Sequence, residues 1–90
     1  MASDLDRQIA RARDTKRGYE NRIQHLKDQQ RGLDRQERDV ARLPNAGQVK
    51  QQIRDQRRQL QREIDRTKLD VRSCDRQIDE LRAIARRASR

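Results

Sequence analysis

Apolar residues recur every seven positions along the first half of this chain, at Leu5, Ala12, Tyr19, Leu26, Leu33 and Val40. A second row follows four residues behind it: Ile9, Lys16, Ile23, Gln30 and Glu37. The second half repeats the pattern. Its first row is Ile53, Leu60, Thr67, Cys74 and Leu81, and its second is Lys50, Arg57, Ile64, Val71, Ile78 and Ala85. Of these 22 positions 16 are apolar, although only 30% of the chain is hydrophobic. A seven-residue period with two apolar rows is the signature of helices packed along a shared seam. We letter the first row d and the second a, and the positions between them b, c, e, f and g in chain order.

Few large apolar residues lie outside these rows. Charged residues make up 43% of the sequence, Trp and Phe are missing, and Tyr19 is the one aromatic. Ordering a residue costs roughly 1–2 kcal/mol of backbone entropy, which a globular core must offset by burial. This composition cannot fill such a core. It does favour helix, since Arg, Gln, Glu and Leu all have good helix propensity. Ninety residues bound the chain to one small all-α unit.

Leu43-Pro44-Asn45-Ala46-Gly47 interrupts the repeat once. Pro44 lacks an N–H and disfavours helix in the residue before it. The expected helices are therefore 4–42 and 46–88, separated by a turn over 43–47, with a basic C-terminal end over 82–90. Ser3 is placed to cap the first helix, with Asp4 and Asp6 in its favourable first turn. Asn45, followed three residues on by Gln48, has the spacing of a capping box for the second.

A turn near Asn45 pairs residues whose numbers sum to about 90. That register stacks a on d across the seam: Ile9 with Leu81, Ala12 with Ile78, Leu26 with Ile64. It also sets Asp6 near Arg82, Arg13 near Asp75, Glu20 near Lys68, Asp34 near Arg54 and Arg22 near Asp70. The charge pattern thus favours an antiparallel two-helix coiled-coil hairpin. Nearer the turn the seam is less apolar, because Gln30, Glu37, Lys50 and Arg57 intrude. That half is expected to open more easily.

Catalysis is not indicated. The sequence has no Gly-rich phosphate loop, no His/Cys set with metal spacing and no nucleophile beside a base. His25 reads as a surface residue, Cys74 as a small buried hydrophobe, and Asp79-Glu80 as solvated carboxylates. No catalytic, cofactor-binding or metal-binding residue is expected, and no cofactor or small-molecule substrate. A single cysteine permits no intrachain disulfide, and no apolar run reaches the length of a signal or a membrane span. The expected location is the cytoplasm, with non-standard secretion left open.

Interaction residues are better represented. Val49, Leu69 and Ile84 are apolar and off the seam, as if a second hairpin or a partner's helices covered them in a four-helix bundle. Gly18 and Gly32 share one heptad position and could mark a low strip for another helix. A net charge of +9 attracts acidic partners. Lys50, Arg54, Arg58, Arg62, Arg86 and Arg87, continued by Arg90, form the basic stripe best suited to phosphates. Interspersed acids and the lack of stacking aromatics weigh against nucleic acid.

In length and architecture the chain resembles the small helical-hairpin partners of type VII secretion, the Trp-x-Gly family and its relatives. Pro44-Asn45-Ala46-Gly47 carries no Trp at the turn, and Tyr19 is followed four residues later by Ile23 and not by an acid. The resemblance implies pairing into a four-helix bundle with a second small protein. The expected function is a chaperone-like helical adaptor that docks a partner's helices, as a homodimer or a heteromer. A basic nucleic-acid-binding coiled coil is the alternative.

Overall fold

A computed structural model describes residues 3–89. Two helices, α1 (Asp4–Val40) and α2 (Ala46–Ala88), run antiparallel as an all-α hairpin of 71 × 19 × 12 Å. Among the described residues no helix is long and apolar enough to cross a membrane.

The start of α1 follows from its sequence. The Ser3 hydroxyl accepts from the Asp6 backbone N–H at 3.1 Å, and the Asp6 carboxylate accepts from the Ser3 N–H at 3.3 Å. This reciprocal box satisfies two of the donors that a helix start leaves free.

The turn departs from expectation in two ways. Helix α1 stops at Val40, not at residue 42, because its end tightens: Ala41 N–H bonds to Arg38 C=O and Leu43 N–H to Val40 C=O. Pro44 then blocks any return to helix at Leu43. At the start of α2, Asn45 holds the cap position with φ −100° and ψ 26°, and its side chain makes no capping bond. A capping side chain needs the extended backbone that Ser3 has (φ −71°, ψ 166°), so the expected Asn45–Gln48 box does not form.

Between the helices the core is a single stripe. All 22 a and d positions are buried or half-buried, and every fully buried residue is one of them. Ile9, Ala12 and Ile78 cluster with Leu81 against them, which is the expected register. Ile64 is the deepest, at 1% exposure. Thr67 is the one buried polar residue among those described, and its hydroxyl donates to the Glu63 carbonyl at 2.7 Å. Its polar group is therefore satisfied within its own helix. Cys74 is buried, as a small apolar residue would be.

Such a stripe leaves much surface in water. A compact protein of 10.8 kDa exposes about 5,500 Å². This chain exposes 7370 Å².

Two measurements test this packing. Ile64→Ala removes the best-buried side chain and should cost about 2–5 kcal/mol in denaturant unfolding. Glu20 and Lys68 line one interhelical groove. Glu20→Cys with Lys68→Cys, in a Cys74→Ala background, should crosslink within one chain. Crosslinks formed only between chains would contradict the hairpin.

Candidate interaction faces

Helical geometry divides the outside of the hairpin into two broad faces. At 100° per residue, the a row of each helix leans toward its e and b positions, and the d row toward g and c. One face therefore carries a, e and b from both helices, and the other carries d, g and c.

Polar seam residues are distributed unequally between these faces. Lys16, Gln30, Glu37, Lys50 and Arg57 all occupy a, whereas Thr67 alone is polar on the d row. From a, a long side chain reaches an e residue of the opposite helix. Lys16 Nζ lies 2.7 Å from Asp75 Oδ1, and Gln30 Nε2 donates to Gln61 Oε1 at 3.0 Å. Arg57 Nη2 lies 2.9 Å from Asp34 Oδ1 and also donates to Glu37 Oε2. Arg54 Nε lies 3.5 Å from Glu37 Oε1. Among the described residues, every polar bond between the helices is on this face.

These contacts correct the expected partners. Asp75 pairs with Lys16, not Arg13, and Asp34 pairs with Arg57, not Arg54. Among the described residues, Asp6–Arg82, Glu20–Lys68 and Arg22–Asp70 form no ion pairs. The reason is geometric. An a residue lies in the seam and reaches a facing e carboxylate directly, while two e or two g side chains of opposite helices diverge into water. The half of the seam near the turn, expected to open more easily, holds the Asp34–Arg57–Glu37–Arg54 network. One cost is visible there, since Arg57 Nε is buried without an acceptor.

The network has electrostatic consequences. The hydrogen bond from Arg57 holds Glu37 below the ordinary carboxylate range; partial burial opposes this, and the charges of Arg57 and Arg54 reinforce it. Lys16 is held above the ordinary lysine range, chiefly by its hydrogen bond to Asp75.

We call the second face open because, among the described residues, no polar bond between the helices crosses it; its d row is nevertheless the better buried, with five of the eight fully buried residues. Its grooves have half-buried d residues as their floor: Leu33 and Leu60 beneath Gln29, Gln56, Gln59 and Glu63, and Tyr19 among Arg22, Glu63, Arg66 and Asp70. Seven of the chain's twelve glutamines stand at its g and c positions. Charge separates the faces further. The e and b positions hold eleven cations against six anions, the g and c positions four against five.

The partner-binding candidates do not form one patch. Gly18, Gly32, Val49 and Ile84 belong to the open face, with Val49 and Ile84 about 50 Å apart along α2. Ile84 is 47% exposed. Val49 was expected to be free, but it is half-buried beside the turn. Leu69, 59% exposed, stands apart on the outer edge of α2, beside Arg72, Asp75 and Arg76. A Cβ on Gly18 or Gly32 would meet nothing within 4 Å, so the hairpin itself does not require either glycine.

Nor does the structure gather the basic candidates. Arg54, Arg58 and Arg86 lie on the ion-paired face, and Lys50 is half-buried at its edge. Arg62 is on the α2 edge and Arg87 on the open face; Arg90 is outside the described residues. Arg58 and Arg62 share a shallow groove with Asp55 and Glu63, so acids dilute the positive field.

Sequence reasoning missed that one face carries no bond between the helices among the described residues, and missed the glutamines that line it. The signal was present, because every charged or glutamine intruder in the seam occupies a. Among the described residues, no group of three or more His, Cys, Asp or Glu is placed to hold a metal. No protein-family model, curated protein or solved structure matches the chain.

The network predicts a specific pH response. With its folded-state pKa depressed, Glu37 contributes stability that is present above the ordinary carboxylate range and lost as pH falls through the depressed value. Lys16, with its pKa raised, contributes stability present below the ordinary lysine range and lost as pH rises through the raised value. In thermal melts followed by circular dichroism, Glu37→Gln should flatten the acid side of the Tm–pH curve, and Lys16→Met the alkaline side. An unchanged acid limb in Glu37→Gln would show that its pairing with Arg57 is not formed in solution.

Proposed function

We propose that this protein is a non-enzymatic, chaperone-like adaptor: a helical hairpin that docks the helices of a partner protein. One observation carries the reading. The open face combines an apolar floor at Leu33 and Leu60 with a rim of Gln29, Gln56 and Gln59 and a single charge, Glu63, in a chain that is 43% charged. Partly covered apolar side chains under a rim of mostly uncharged residues suit a helix laid along the groove. Two further helices would bury the d row and complete a four-helix bundle. Exposed Ile84 and Leu69 add apolar contact at the face and at the α2 edge. A secretion-targeting partner of the type VII kind is one form of this reading, supported by length and architecture.

The excess of cations on the ion-paired face supports a second reading, in which that face binds nucleic acid. Arg also anchors protein interfaces, so salt dependence separates the two. If the basic face neutralises phosphates, duplex binding should show a log–log salt slope near −0.9 per phosphate. Changing Arg58 and Arg62 together to Gln should then reduce that slope by about two units, equally for unrelated sequences.

The adaptor reading expects duplex binding to vanish near physiological salt. Partner capture from native lysate should survive nuclease, change little with salt, and weaken with Ile84→Glu or Leu69→Glu. Tight, steeply salt-dependent duplex binding that ignores both substitutions would exchange the two readings.

A further inference from the structure

We infer that the partner on the open face is a second copy of this chain, related by a two-fold axis parallel to the hairpin, with both turns at the same end. This rests on the docking reading and names its occupant.

Two copies cannot meet through the ion-paired face without setting its excess of cations against itself. The open face carries almost no net charge, and its signs alternate between the helices. At matching heights, Asp4 on α1 stands level with Arg87 on α2, Arg11 with Glu80, and Arg22 with Asp70. A two-fold axis along the hairpin lays α1 of one copy on α2 of the other at the same height. Each of these three levels then brings opposite charges together across the interface, and no level brings like charges together. Gly18 falls opposite Ser73, small against small, where the open space around Gly18 lets the helices approach.

The opposite two-fold, which places the turns at opposite ends, stacks α1 on α1 and α2 on α2 and loses this match. Area is sufficient as well. A face of 71 by 19 Å offers about 1,300 Å² per copy, above the roughly 800 Å² per partner of a standard stable interface. The same association would cover part of the surface that the chain exposes in excess of a compact fold.

Sedimentation of the full chain gives the first test, with helicity followed in parallel to establish that each variant folds. The wild type should form a dimer. Arg11→Glu sets Glu against Glu80 at two symmetric places and should raise the dimer dissociation constant by about tenfold or more. Adding Glu80→Arg should restore it. Arg31→Glu, on the ion-paired face, should leave dimerisation unchanged.

A distance measurement gives the orientation. Spin labels on Asn45→Cys, in a Cys74→Ala background, should lie close together in the dimer. Labels separated by about the length of the hairpin would overturn the proposed axis. Equal disruption by Arg31→Glu, or failure of Glu80→Arg to rescue Arg11→Glu, would overturn the proposed face. A chain that stays monomeric at about millimolar concentration overturns self-pairing altogether. If that monomer still captures a protein whose binding weakens with Ile84→Glu, docking stands with a different occupant; if it captures none, the docking reading fails with it.

Discussion

One strip of side chains holds this molecule together. A helix of some forty residues with mixed charge has modest stability alone, because most helical stability in proteins comes from packing an apolar face. Here that packing comes from the partner helix alone, along the a and d rows. The turn delivers α2 to α1 with Ile9, Ala12, Ile78 and Leu81 in contact, and every other feature inherits that register. A slip of one heptad would still set apolar rows on each other, but it would take Lys16 from Asp75 and place it beside Lys68 or Arg82. The polar bonds between the helices therefore depend on the apolar seam and also help to specify its register.

The placement of the seam's polar residues divides the surface into unlike halves. All of them but Thr67 lie on the a row, so one side of the hairpin carries the bonds between the helices: Lys16–Asp75, Gln30–Gln61 and the Arg57 network. The d row, apolar but for Thr67, makes no polar bond to the opposite helix among the described residues and has half-buried Leu33 and Leu60 at a groove on the other side. A hairpin with polar residues spread over both rows would present two similar faces. This one has a basic, internally bonded face and a nearly neutral, apolar-floored one. The protein-docking reading draws on the second, and the nucleic-acid reading on the first.

Where sequence reasoning and structure part, the difference is one of reach. Antiparallel pairing, register and the seam were legible because the heptad period fixes which residues meet, and every seam position is withdrawn from water. The Ser3 cap was legible because it is local. Asn45 looked equivalent, but capping depends on backbone dihedrals that the tight turn before Ala46 sets differently. The e–e ion pairs were read from heptad letters, which record angular position and ignore side-chain length and direction.

By itself the sequence determined that the chain is all-α, that it folds back at Pro44, and that its two halves meet antiparallel along one stripe. Periodicity and the sign of charge suffice for that, because both are properties of residue order. Only the tertiary structure decided which partner each charge takes, that Val49 is half-covered, that Leu69 stands apart from Ile84, and that among the described residues polar bonds join the helices on one side of the seam and not on the other. Those outcomes depend on how far a side chain at one position extends across the gap between two helices, a distance that exists only once both helices are in place.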